Sequence, residues 1–179
     1  MLSSFDLSIF YSLYELSYGP YGAVVYVIAE KLVYVVLALV LYFAFRAFQK
    51  GEFELLYGYG VALLSAVLAR GVLTETIRYF YNRPRPYVAL ELWPLFQDTA
   101  YSFPSGHTIF IFALAVGVWY VHRPLAYLIA GLGLLIGLSR VASGVHYPTD
   151  ILGGVVLGAF VAILVRTLYV RYATNGKTI

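Results

Sequence analysis

Apolar stretches of roughly membrane-spanning length follow one another along the chain, at about residues 21–48, 55–80, 106–121, 125–140 and 150–170, with polar turns between them. Crossing ~30 Å of hydrocarbon takes about 20 mostly apolar residues per helix. Lipid offers no water to an open backbone, so such stretches fold as helices that satisfy their own hydrogen bonds. Residues are 61% hydrophobic and 12% charged, with a mean hydropathy of +0.80, whereas soluble domains carry about 25% charged residues. The expected fold is all-α: a polytopic transmembrane helical bundle of about five to six spans. Residues 1–179 then form a single membrane-embedded domain, with no room for a separate soluble one.

Residues 4–17 place Phe5, Ile9, Leu13 and Leu16 at helical spacing but are short and polar for a span, which predicts an N-terminal interfacial helix ended by Gly19-Pro20. The first residues, Met1-Leu-Ser-Ser-Phe-Asp, lack the basic region and cleavage site of a signal peptide, so the chain is expected to be used whole. Without cysteine, the fold holds no disulfide and no thiolate metal site. A net charge of +3, spread without a basic run, argues against a nucleic-acid partner and leaves the lipid bilayer as the expected one. Oligomeric state is left open.

Glu30 and Lys31 lie inside the first span, where charge is costly unless it faces other helices or water; a structural pair is expected. Residues 81–105, rich in proline and polar groups, form a long loop on one membrane face. Counting alternate crossings puts that loop, the start of span three, the end of span four and the turn 141–149 on the same face. Arg46, Lys50, Arg123, Arg166, Arg171 and Lys177 fall on the other, which the positive-inside rule makes cytoplasmic. The polar face is thus expected to look outward from the cell (inner) membrane, toward the periplasm where there is one.

His146 and Asp150 stand four apart around a Tyr-Pro-Thr break. The carboxylate reaches one ring nitrogen and frees the other as a nucleophile, although the same pair also serves as a helix cap beside an interfacial histidine. Arg78, Arg83, Arg85 and Arg140 share this level, and guanidinium forks suit phosphate oxygens; snorkelling to headgroups is the alternative for Arg83. Pro104-Ser105-Gly106-His107 enters span three, so free backbone amides and the helix dipole favour an anion there. Ser105 has a hydroxyl to donate, Gly106 admits close backbone approach, and His107 is positioned to protonate a departing oxygen. Glu75 and Glu91 are candidates to tune the pocket, and His122, on the other face, reads as structural.

The order Arg78, Arg85-Pro86, Pro104-Ser-Gly-His107, Ser139-Arg140, His146, Asp150 resembles the three-part signature of the type-2 phosphatidic acid phosphatase superfamily. The likeness covers residues 78–150. It implies a hydrolase in which His146 forms a phosphohistidine, Asp150 orients it, and His107 acts as general acid and then base. Arg78, Arg85, Ser105, Gly106 and Arg140 are then the phosphate-binding residues. The family usually has lysine at the position of Arg78. It uses no metal and no cofactor, and three histidines without a dense carboxylate cluster agree. Residues 85–91, Ser102-Phe-Pro-Ser and Ile28-Ala-Glu-Lys look most like bacterial undecaprenyl-diphosphate phosphatases, enzymes of cell-wall biosynthesis, although those often carry aspartate where Gly106 stands. The implied substrate is a membrane lipid phosphate, with phosphatidylglycerophosphate, phosphatidate and lipid A as other members of the class. A non-catalytic lipid or anion carrier would keep the arginines without needing His146.

Overall fold

The structure, a computed structural model, describes residues 4–17 and 19–175. Residues 1–3 of the expected leader-free start, and Lys177 in the orientation count, lie outside the described residues. No strand occurs among the described residues, whose α-helices are α1 (Ser4–Tyr14), α2 (Gly22–Glu30), α3 (Leu32–Gln49), α4 (Phe53–Leu68), α5 (Thr74–Phe80), α6 (Pro86–Ala89), α7 (Gly106–Trp119), α8 (Arg123–Ala142) and α9 (Pro148–Asn175). A π-turn at Ala69–Leu73 joins α4 to α5 without a break, giving a continuous stretch from Phe53 to Phe80.

Among the described residues four stretches have the length and hydropathy to cross a bilayer: Leu32–Gln49, Phe53–Phe80, Arg123–Ala142 and Pro148–Ala173. The fifth crossing helix, α7, has 14 residues, which at 1.5 Å per residue is about 21 Å. It manages because it stands at the centre, packed against α4, α8 and α9. A helix enclosed by others is apolar all round, and Ile109, Ile111, Leu114 and Val118 on α7 are fully buried. Small residues set the approach distances. A Cβ on Gly117 would come 2.6 Å from Ala62 of α4, and one on Gly158 of α9 would come 2.9 Å from the Ala113 amide.

The expected first span, 21–48, is two helices broken at Lys31. At that joint the Ala29 carbonyl and the Glu30 carboxylate both accept from Arg140 Nη1, at 3.3 and 2.5 Å. The expected Glu30–Lys31 pair is therefore replaced by a Glu30–Arg140 pair, while the Lys31 ammonium sits 5.8 Å from the centre of the Tyr26 ring. The N-terminal helix α1 docks against α8 and α9. Phe10 and Tyr14 stack at 5.3 Å and, with Leu13, form a second apolar cluster with Val141, Ile151, Leu90 and Leu92. On the opposite face His122 lies 3.5 Å from the Tyr59 hydroxyl and edge-on to Phe43, a structural setting.

Candidate active site

Two sharp turns and one loop build the site. At the end of α8, Gly144 takes φ +80°, a left-handed conformation natural to glycine, and turns the chain toward His146. Pro148 then opens α9 with its pre-set φ. In that first turn Asp150 Oδ2 reaches back to accept from the Tyr147 amide at 2.8 Å, a capping arrangement that also fixes the carboxylate. His146 Nδ1 lies 3.4 Å from the same oxygen. The capping role is thus filled, and the same carboxylate lies next to His146 Nδ1, which is buried and has no hydrogen-bond partner among the described residues. Asp150 also accepts from the Ser102 hydroxyl and from Arg83 Nη1, the latter at 2.5 Å.

The other ring nitrogen of His146, Nε2, faces Arg85 Nη1 at 3.3 Å. Burial, followed by the charges of Arg140, Arg85 and Arg78, holds the imidazole well below its ordinary value. This favours the neutral ring, the form a nucleophile needs. Arg85 is held by the carbonyls of Ala100 and Val145 at 2.6 and 2.9 Å, and burial lowers it to about 10. Its Nη2 lies 2.8 Å from Asp98 Oδ2, which also lies 3.4 Å from Arg140 Nη2. Burial pushes the Asp98 carboxyl up, but Arg85, the Ala100 amide and Arg140 outweigh it and keep it below the usual carboxylate range.

Arg78 Nη2 donates to the Pro104 carbonyl at 3.1 Å, linking α5 to the loop that opens α7. The Ser105 amide donates to the Asp150 carbonyl at 3.1 Å, which ties the start of α7 to α9. Ser105 Oγ accepts from Thr108 Oγ1 at 3.1 Å and does not cap the helix, leaving the first amides of α7 to other partners. Gly106 lies under the Arg70 side chain: a Cβ there would come 2.6 Å from Arg70 Nε. His107 lines an adjoining groove of about 200 Å³ with Arg70, Tyr34 and Phe110.

His146, Asp150, Arg85 and Arg140 thus form one connected cluster, with Arg78 and Ser105 joined to it through the 104–105 backbone, and His107 on the groove beside it. Glu91 is exposed and joins none of these contacts, whereas Glu75 pairs with Arg70 at 2.5 Å and lies 3.6 Å from Arg78. Arg83 is no snorkelling cation: it bridges Asp150 and Asp6, whose charges outweigh burial and raise it above its ordinary value. Asp98, Asp6 and Arg70 complete the site without having stood out in the sequence, because isolated acids or a lone arginine carry no spacing signal, whereas Glu30 stood out only as a charge paired with Lys31 and Ser102 only within the Ser102-Phe-Pro-Ser run. Among the described residues no three His, Asp or Glu side chains gather as metal ligands.

A Bacillus licheniformis protein named bacitracin transport permease protein BcrC is 30% identical over 151 residues, covering 83% of this chain and 71% of that one. Undecaprenyl-diphosphatase BcrC of Bacillus subtilis is 36% identical over 103 residues, covering 57% of this chain and 51% of that one. The chain thus spans about half the length of that second relative. The fold is that of Aquifex aeolicus LpxE, with a TM-score of 0.67 at 24% identity over 92% of this chain and 96% of that one. Residues 59–173 match the model of the PAP2 superfamily. That stretch holds the whole cluster except Asp6 and Glu30, and on this match the chain belongs to the PAP2 superfamily, as a membrane-embedded lipid phosphatase.

Proposed function

We propose that this protein removes the terminal phosphate of a polyprenyl diphosphate, converting undecaprenyl diphosphate to undecaprenyl phosphate, through a phosphohistidine on His146. Residues 1–179 act as one catalytic domain whose site opens on the outer face of the cell membrane. The observation that carries the reading is the buried His146, with Asp150 Oδ2 3.4 Å from Nδ1 and with Nε2 3.3 Å from Arg85 Nη1 in the arginine cluster.

In this mechanism His146 Nε2 attacks phosphorus in line, opposite the bridging oxygen. Arg78, Arg85 and Arg140, with the Ser105 hydroxyl and the amides at Gly106, stabilise charge spread over the equatorial oxygens. Such positioned electrostatics supplies most of the catalysis in phosphoryl transfer. Asp150 balances the positive charge that grows on the ring. His107 gives a proton to the leaving oxygen, then takes one from the water that hydrolyses the phosphohistidine. Acid–base help of this kind contributes about 10²–10⁴-fold.

The substrate class is tested with purified protein offered undecaprenyl diphosphate, phosphatidylglycerophosphate, phosphatidate and lipid A side by side, with released phosphate counted. The expected outcome is fastest release from the diphosphate. A phospholipid or lipid A turned over faster would move the substrate to that class. The transport name of the Bacillus licheniformis relative favours one rival, an anion or lipid carrier. A carrier needs Arg140 but not His146, so phosphate release surviving in His146→Ala would decide for it.

A further inference from the structure

Arg70 belongs to none of the roles assigned so far. It sits in an apolar span, where a charge is costly unless it serves a purpose. It also sits in the π-turn Ala69–Leu73, closed by the Thr74 amide and hydroxyl on the Ala69 carbonyl, the latter at 2.9 Å. Single π-turns inside α-helices occur frequently at functional sites. This one carries the Arg70 side chain onto Gly106, where a Cβ would come 2.6, 3.0 and 3.1 Å from Nε, Cδ and Cζ. Any side chain at 106 would have to move the arginine. Glu75 accepts from Arg70 Nη1 at 2.5 Å and lies 3.6 Å from Arg78, which links Arg70 to the terminal-phosphate cluster.

The surroundings have two characters. The groove of about 200 Å³ is lined by Arg70, Gly106 and His107 and by the apolar Val33, Leu37 and Phe110. In the proposed mechanism the leaving oxygen takes its proton from His107, and His107 lines this groove, so the departing group lies against it. When the substrate is a diphosphate, the leaving group itself bears a phosphate attached to an apolar chain, and those are the two chemistries the groove presents. We infer that Arg70, laid over Gly106 beside His107, binds the phosphate that stays on the lipid and so selects diphosphates over monophosphate esters. This assignment rests on the polyprenyl diphosphate reading of the substrate.

In the transfer, a bond forms from His146 Nε2 to the terminal phosphorus, and the bond from that phosphorus to the bridging oxygen breaks. Its electron pair stays on that oxygen, now part of the lipid monophosphate, whose charge Arg70 offsets. Water then attacks the phosphohistidine, the P–N bond breaks, and inorganic phosphate leaves. With a monophosphate ester the departing group is an alcohol, which gives Arg70 nothing to bind.

The test compares kcat/KM for a prenyl diphosphate and for the monophosphate of the same prenol, on wild type, Arg70→Gln and Arg70→Lys. Wild type is expected to prefer the diphosphate. The preference ratio is expected to fall by at least about tenfold in Arg70→Gln, the scale of one charge-assisted contact, and to recover in part in Arg70→Lys. Both substrates are measured on one preparation, so partial unfolding lowers both rates and leaves the ratio intact. An unchanged ratio in Arg70→Gln, with wild type active on the diphosphate, overturns the role of Arg70 alone. A wild type that releases phosphate from monophosphate esters but not from the diphosphate overturns both this role and the substrate reading.

Discussion

At the scale of single residues, neutrality of His146 is the property from which its chemistry follows. Its value in the fold lies below the ordinary histidine value, so the folded protein binds fewer protons there than the unfolded chain. The folded ring stays neutral as pH falls below that value while the unfolded chain takes up its proton, so the stability tied to the neutral ring is present above the ordinary value and declines as pH falls from there through the lowered one. Ring-labelled histidine followed by NMR, assigned with His146→Gln, is expected to show His146 still neutral at about pH 6; a midpoint at or above the ordinary value would contradict a neutral nucleophile. Asp98 gives a second prediction. Its carboxylate contacts both Arg85 and Arg140, the donors a phosphate would use, so Asp98→Asn is expected to tighten inhibition by inorganic phosphate or vanadate, by about threefold or more. Weaker inhibition would make Asp98 an organiser of the arginines instead. His107, His146, Arg78, Arg85 and Arg140 stand in an order that resembles the family's signature, and that resemblance is what marks them. Asp98 carries no such mark and Glu30 only that of a charge inside a span, because their meaning lies in contacts with Arg140 from positions 42 and 110 residues away.

Among elements, α1 is the one whose role the sequence conceals most. Amphipathic spacing marks it as a helix, but nothing in residues 4–17 announces that Asp6 is buried at the site end of α9. There Asp6 accepts from Arg83 Nη2 at 2.7 Å, from the Thr149 amide at 3.0 Å and from the Thr149 hydroxyl at 2.8 Å. Arg83 in turn holds Asp150, so α1 braces the partner of His146 from behind. Removing one member of a buried ion pair costs about 3–5 kcal/mol. Asp6→Ala is therefore expected to lower the unfolding midpoint by several degrees. It should also lower kcat by about tenfold with a smaller change in KM, by the scale of groups that orient histidine ligands. Full activity in Asp6→Ala would show that α1 serves only as an anchor. The break at Lys31 is equally illegible, since residues 21–48 read as one apolar run and Arg140 interrupts it from a distant helix. The π-turn that aims Arg70 has no local sequence mark at all.

On the scale of the whole molecule, hydropathy makes the helical bundle legible, because the bilayer tests length and apolarity one segment at a time. It does not reveal that α7, the shortest crossing helix, is the central one, since centrality depends on which helices surround it. Topology puts the site cluster at one end and Arg46, Lys50 and Arg123 at the other, and from this an outward-facing site is expected. A chain without cysteine allows a direct check. In intact cells a membrane-impermeant maleimide is expected to label Trp93→Cys, at a position 84% exposed on the site side, and to spare Lys50→Cys; the reverse pattern would invert the topology. Turnover is also expected to survive EDTA unchanged, whereas loss of activity restored by a divalent cation would require a metal in the mechanism. The most direct test of phosphoryl transfer to His146 uses the intact protein in bilayer vesicles with a diphosphate lipid labelled on its terminal phosphorus, quenched within a turnover and digested. The expected product is an acid-labile, alkali-stable phosphoramidate on the peptide carrying His146, absent from His146→Ala along with turnover. Label on another residue, or phosphate release persisting in His146→Ala, would contradict it.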